Sequence, residues 1–177
     1  MEKEDIKKIL TFTLREKEII KALNLPEEVF LPLFFSVRFG GDWSVSENSK
    51  NFMSVKEKIT EYDSEAKIGY TLEKIYLFVN PKILAEEGKV YRMEKCGNKN
   101  ERQLVERPYS TTVDGEYILE ATLNPKEMKI VVKQIQGPLK FFGPAAYGVS
   151  HEIEHLKKGE IRGIPFWDFE YILELSD

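Results

Sequence analysis

His151-Glu152-Ile153-Glu154-His155 places two imidazoles four residues apart, with a carboxylate beside the first. On an α-helix, positions i and i+4 share one face, so both ring nitrogens can reach one metal ion. Glu152 projects about 100° further round the helix, where a carboxylate handles a metal-bound water rather than ligating. The chain has 2 histidines, and both are here. The bland alternative is a charged, solvated helix of the pattern H-E-x-E-H-x-K-K. Gly143-Pro144 reads as the helix start, with proline at its first position. Lys157 and Lys158 fall in the last turn, and Gly159 just past it. Gly148 lies one turn before His151 on the same face, where a missing side chain lets another segment approach closely.

Two histidines need a third protein ligand if one coordination position is to stay open for water. The sequence offers three suppliers. A third histidine does not exist. A glutamate about 20 residues downstream, Glu174 or Glu170, would give a metallopeptidase-type site. Cys96, the only cysteine, would give a thiolate. Its plain alternative is a small buried hydrophobe.

The elements that must position these groups are partly legible. At 177 residues the chain fits one domain over residues 1–177, with a core large enough to fold alone. Apolar content of 42% and charged content of 32% are ordinary for a globular protein. A net charge of −4 gives no electrostatic footprint for nucleic acid. No apolar run approaches the ~18 residues of a membrane span, and Met1-Glu2-Lys3-Glu4-Asp5 is unlike a signal peptide. The expected setting is therefore the cytoplasm, where a lone cysteine stays reduced.

Residues 3–23 read as helical or mixed. Leu25-Pro26-Glu27-Glu28 opens a second helix running to Val37, interrupted by Pro32 and stopped by Gly40-Gly41. Residues 43–72 read as loops with one or two short strands. Lys74–Val79 is a buried strand ended by Asn80-Pro81. Val90–Met93 is a short strand. Residues 109–123 and 127–136 read as two strands joined by a turn at Asn124-Pro125-Lys126. The tail from Ile161 to Leu175 alternates enough apolar residues for a last strand or short helix. The order of helices and short strands indicates α+β.

Several of these segments resemble the peptide deformylase family. Leu77-Phe78-Val79-Asn80-Pro81-Lys82-Ile83 is similar to its I-N-P-E-I strand. Glu94-Lys95-Cys96-Gly97-Asn98 stands where that family has E-G-C-L-S. Val105-Glu106-Arg107-Pro108 is similar to V-x-R-P, and Ser150–His155 to Q-H-E-x-D-H. Lys8-Ile9-Leu10-Thr11-Phe12 resembles K-I-L-x-F. The family's G-x-G-x-A-A-x-Q motif has no plain counterpart. Its best placement, Gly41–Asn48, puts Asn48 where a glutamine bonds the formyl oxygen.

The resemblance implies an α+β fold of short antiparallel or mixed sheets around a central helix carrying H-E-x-x-H. It implies one divalent metal ion, Fe²⁺ first and Zn²⁺, Ni²⁺ or Co²⁺ otherwise, on Cys96, His151 and His155. Glu152 would be the general base, with the Gly97 N–H and the Asn48 amide stabilising the oxyanion. Tyr147 and Phe142 would be candidates for the substrate's apolar pocket. Arg107 would pair with Glu154, or Glu154 would be solvated. The substrate would be a formyl-methionyl peptide or a related formamide. The substitutions at Lys95 and Gly97 favour a second expectation, a deformylase-like binding module without that activity. A metallopeptidase using Glu174 or Glu170 is the third.

Overall fold

The computed structural model describes residues 10–95, 100–157, 163–165 and 168–175. The chain begins with helix α1 (Leu14–Leu23), closed at its start by a capping box in which Thr13 and Glu16 bond each other's backbone N–H. A 3₁₀ turn (Glu27–Phe30) then runs into helix α2 (Leu31–Phe39). Pro32 does not kink a helix; it sits in the first turn of α2, where its missing N–H costs nothing. Gly40, with φ of 73°, ends α2, a conformation glycine adopts without strain.

Strands β1 (Trp43–Glu47), β2 (Lys50–Asp63) and β3 (Ile68–Val79) follow as consecutive antiparallel hairpins. Then come β4 (Lys82–Glu87), β5 (Val90–Glu94), β6 (Gln103–Arg107), β7 (Ser110–Asp114), β8 (Tyr117–Asn124), β9 (Lys129–Ile135) and β10 (Leu139–Phe142). Helix α3 (Pro144–Leu156) and the two-residue strand β11 (Ile164–Pro165) complete the elements. The main sheet runs β1-β2-β3-β8-β9, with smaller sheets β10-β7-β4 and β11-β6-β5.

The main sheet is the middle layer. Along β3, Ile75, Leu77 and Val79 join Leu33, Phe34 and Leu119 on one face, under α1 and α2. Tyr76 and Phe78 join Met53, Val113, Phe141 and Val149 on the other, under α3. This period-two division makes a strand buried on both faces read as a continuous apolar run.

The fold differs from the expected α+β, peptide-deformylase-like arrangement around a metal-binding helix. Strands dominate, and among the described residues there are three α-helices. Among those residues, no group of three or more His, Cys, Asp or Glu side chains is placed to hold a metal ion. The discrepancy is largest over residues 43–72, expected as loops with one or two short strands and found as β1, the long β2 and the first part of β3. The outer halves of β2 and β3 are exposed on both faces, so no apolar alternation marks them. The backbone ladder holds them, helped by Lys58–Glu73 at 3.4 Å and Thr60–Thr71 at 2.8 Å. No helix among the described residues is long and apolar enough to cross a membrane.

Because Leu77 is wholly buried where β3 meets the helical layer, Leu77→Ala should lower unfolding free energy by about 2–5 kcal/mol. Urea unfolding should show the loss as a lower midpoint at unchanged slope.

Candidate functional site

One face of α3, the end of β5 and the turn before β1 line a cleft of about 380 Å³, with Asp42, Arg92, Glu94, Lys95, Tyr147, Gly148, His151 and Glu152 among its residues. Asp42 reaches it from the turn after α2. Its Oδ1 accepts a bond from the Lys56 N–H at 2.9 Å. Its carboxyl lies against Gly148, so closely that a Cβ there would overlap Oδ2. The close approach expected at Gly148 is thus made by a side chain.

Glu152 is buried and accepts a bond from the Ser44 hydroxyl at 2.6 Å. Burial is the main cause raising the Glu152 pKa; Asp42's negative charge adds to it, opposed by Ser44 and His151. Burial likewise raises Asp42, against the Lys56 N–H and the positive fields of Lys56, His151 and Arg92. Two carboxyls in one cleft that resist ionisation, one of them raised by the other's charge, meet the electrostatic condition for sharing a proton.

Behind them runs a second charged system. Arg107 is buried and grips both oxygens of Glu94, with Nη2–Oε2 at 2.8 Å; its Nη1 reaches Glu154 at 2.8 Å. Glu94 Oε2 lies 3.0 Å from His151 Nδ1. Burial opposes the ionisation of Glu94, but hydrogen bonds from His151 and Arg107 outweigh it and hold its pKa at about 2. An ionised Glu94 favours a proton on His151 Nδ1 and leaves Nε2 directed at His155. His151 Nε2 and His155 Nε2 lie 3.0 Å apart. Burial, then the field of His151, lowers the His155 pKa.

The residues expected to act are only partly brought together. Helix α3 begins at Pro144 as expected; His151 and Glu152 line the cleft, and His155 lies against His151. Cys96 and Gly97 lie outside the described residues, as does Asn98. Asn48 sits in the turn between β1 and β2 and lines a different cavity, with Tyr117 and Phe52; the hydroxyl that meets Glu152 belongs to Ser44. Glu170 and Glu174 are exposed on the C-terminal segment. Asp42 was not singled out as an acid. Its signal was the pairing of Gly40-Gly41, which turns the chain, with Gly148, which receives it.

The family model of RimB-like proteins, described as "Retropepsin-like aspartic endopeptidase RimB", matches residues 30–134. The chain belongs to the RimB-like family. No curated protein and no solved structure matches it. The family corrects the resemblance to peptide deformylases, and with it the formamide hydrolase, binding-module and glutamate-liganded metallopeptidase readings. The deformylase likeness rested on short pieces around H-E-x-x-H, a pattern brief enough to arise outside its family.

The RimB-like match contains three aspartates, Asp42, Asp63 and Asp114. Asp63 is exposed and holds the N–H groups of Glu65 and Ala66 in the β2–β3 turn. Asp114 accepts the Gly115 N–H and lies against Gly137. Asp42 is the one of the three that lines the cleft.

The two carboxylate systems pull stability in opposite directions with pH. Glu94 has a depressed folded pKa, about 2 against 4.5, so its contribution is full above the unfolded value and is lost as pH falls toward 2. Glu152 has a raised folded pKa, so the charged form costs stability as pH rises through that value. Glu94→Gln should flatten the acid limb of a stability-versus-pH curve. Glu152→Gln should raise stability near neutral pH and leave the acid limb in place. Urea midpoints across the acid-to-neutral range check both.

Proposed function

We propose that the chain is a peptidase whose buried carboxyls Asp42 and Glu152 share one proton and activate water between them. The observation that carries this reading is two carboxyls with raised pKa values lining one cleft, Glu152 raised in part by the charge of Asp42. Membership of a family described as retropepsin-like aspartic endopeptidases supports it. Carboxyl pairs that share a proton supply both the base and the acid of amide hydrolysis.

In the working state one carboxyl is ionised and takes a proton from water. The water attacks the amide carbon, and the protonated partner donates to the carbonyl oxygen as the tetrahedral intermediate forms. Collapse breaks the C–N bond, with the proton passed to the leaving nitrogen. Asp42 is suited to the ionised role, because the Lys56 N–H and the fields of Lys56, His151 and Arg92 favour its charge. Glu152, with the single Ser44 hydroxyl and Asp42's repulsion, is suited to hold the proton. His151, locked by Glu94, adds a polar group at the cleft wall. The pair differs from two aspartates in that its second acid comes from α3, beyond the matched residues. A single cysteine fits the reducing cytoplasm we infer as its setting.

The test is cleavage of a denatured protein or peptide library, read by mass spectrometry. Wild-type protein should cleave, with a bell-shaped pH profile whose limbs belong to the pair. Asp42→Asn and Glu152→Gln should each lower the rate by about 10²–10⁴-fold while leaving circular dichroism unchanged. A chelator should leave the rate intact. Loss of activity on chelation, or full activity in Asp42→Asn, would overturn the reading.

A further inference from the structure

A second cavity, of about 360 Å³, opens where the loop after α1 and the 3₁₀ turn meet the β1–β2 hairpin and the start of β8. It shares no lining residue with the Asp42–Glu152 cleft. The two sites lie at opposite ends of β1: Asp42 precedes the strand, and Glu47 ends it beside the second cavity.

The floor of this cavity is apolar. Val29, Phe52 and Val79 line it and are each 6% exposed or less. Leu25 and Tyr117 stand half-buried beside them and pack on the same core. The rim is acidic. Glu28 comes from the 3₁₀ turn, Glu47 from β1 and Glu116 from the turn before β8, against Lys50 from the start of β2. Among the described residues, no cation lies within ion-pair distance of Glu28 or Glu116.

Backbone bonds fix the segments that carry this rim. Asn48 and Ser49 have φ of 49° and 63°, the consecutive left-handed residues of a tight hairpin turn, and they set Glu47 opposite Lys50. Asn80 ties that hairpin to the end of β3: its Oδ1 accepts the Asn51 N–H at 2.9 Å, and its own N–H donates to the Asn51 carbonyl at 2.7 Å. The Glu116 N–H donates to the Val79 carbonyl at 2.9 Å. The acids are therefore brought to one opening by the fold, from separate elements.

These features select among ligands by chemistry. An anion is repelled by the rim. A neutral apolar molecule covers the floor but leaves the like charges of the rim facing one another. A cation with an apolar body answers both, and the faces of Phe52 and Tyr117 attract an ammonium group in addition. The volume is near the lower end of the roughly 300–1,000 Å³ of ligand pockets, which suits one compact molecule. We propose that this cavity binds a small organic ammonium ion, its charge between Glu28 and Glu116 and its apolar body on Val29, Phe52 and Tyr117.

The test uses the full chain and three probes of nearly equal shape: phenethylammonium, neutral phenethyl alcohol and anionic hydrocinnamate. Binding is followed by NMR, through the methyl signals of Leu25, Val29 and Val79 and the amide signals of Tyr147 and Gly148 in the cleft. Phenethylammonium should shift the three sets of methyl signals saturably and leave the two amides in place. The alcohol should bind at least about tenfold more weakly, and hydrocinnamate should leave the methyls unmoved. Glu28→Gln combined with Glu116→Gln should weaken phenethylammonium at least about tenfold, since contacts to charged groups are the strong ones. Both side chains are at least partly exposed, and circular dichroism checks that the variant keeps its fold. No saturable shift at the methyls, shifts at Tyr147 and Gly148 instead, alcohol binding as tight as that of the ammonium, or an unchanged affinity in the double variant would overturn the proposal. Peptide cleavage plays no part in the readout.

Discussion

The contact between the Asp42 carboxyl and the bare backbone at Gly148 is the constraint on which the site depends. It brings the turn after α2 against the middle of α3, across the edge of the main sheet. Asp42 is thereby buried beside Glu152 instead of being solvated at the surface. Any side chain at position 148 would overlap it, so the glycine's cost in helix propensity, about 1 kcal/mol, is offset by the geometry it permits. The Lys56 N–H fixes the other oxygen. Burial of both acids, with the Asp42 charge acting on Glu152, then opposes their ionising together.

A second constraint lies one layer behind. Arg107 ties β5, β6 and α3 together by holding Glu94 and Glu154 at once. The arrangement sets Glu94 firmly ionised beside the cleft and Asp42 and Glu152 reluctantly so. The site thus contains one carboxylate whose charge is stabilised and two whose charge is resisted. Such a separation of acid strengths within a small space is how protein environments assign acid and base roles.

Much of this was legible before the fold, and the failures have physical causes. The helix from Pro144, the strand ending at Val79 and the two strands joined at Asn124 follow from turn residues and apolar runs. The β2–β3 arm did not, because its outer half has no buried face to imprint a pattern. Glu152 was picked for its place in H-E-x-E-H and keeps its interest for another reason, the neighbour that burial gives it. Asp42 was passed over because its meaning comes from α3, about a hundred residues away. Motif spacing reports local geometry, whereas an acid pair drawn from two distant elements leaves only its glycines as a trace.

The central claim is that Asp42 and Glu152 titrate as one unit, and carboxyl ¹³C chemical shifts followed through a pH titration test it most directly. The account predicts two coupled steps, the upper one above the ordinary carboxyl range, and a fall in the Asp42 pKa when Glu152→Gln removes the second charge. Independent titration of both groups near their unperturbed values, about 3.9 and 4.3, with no response of Asp42 to Glu152→Gln, would contradict it.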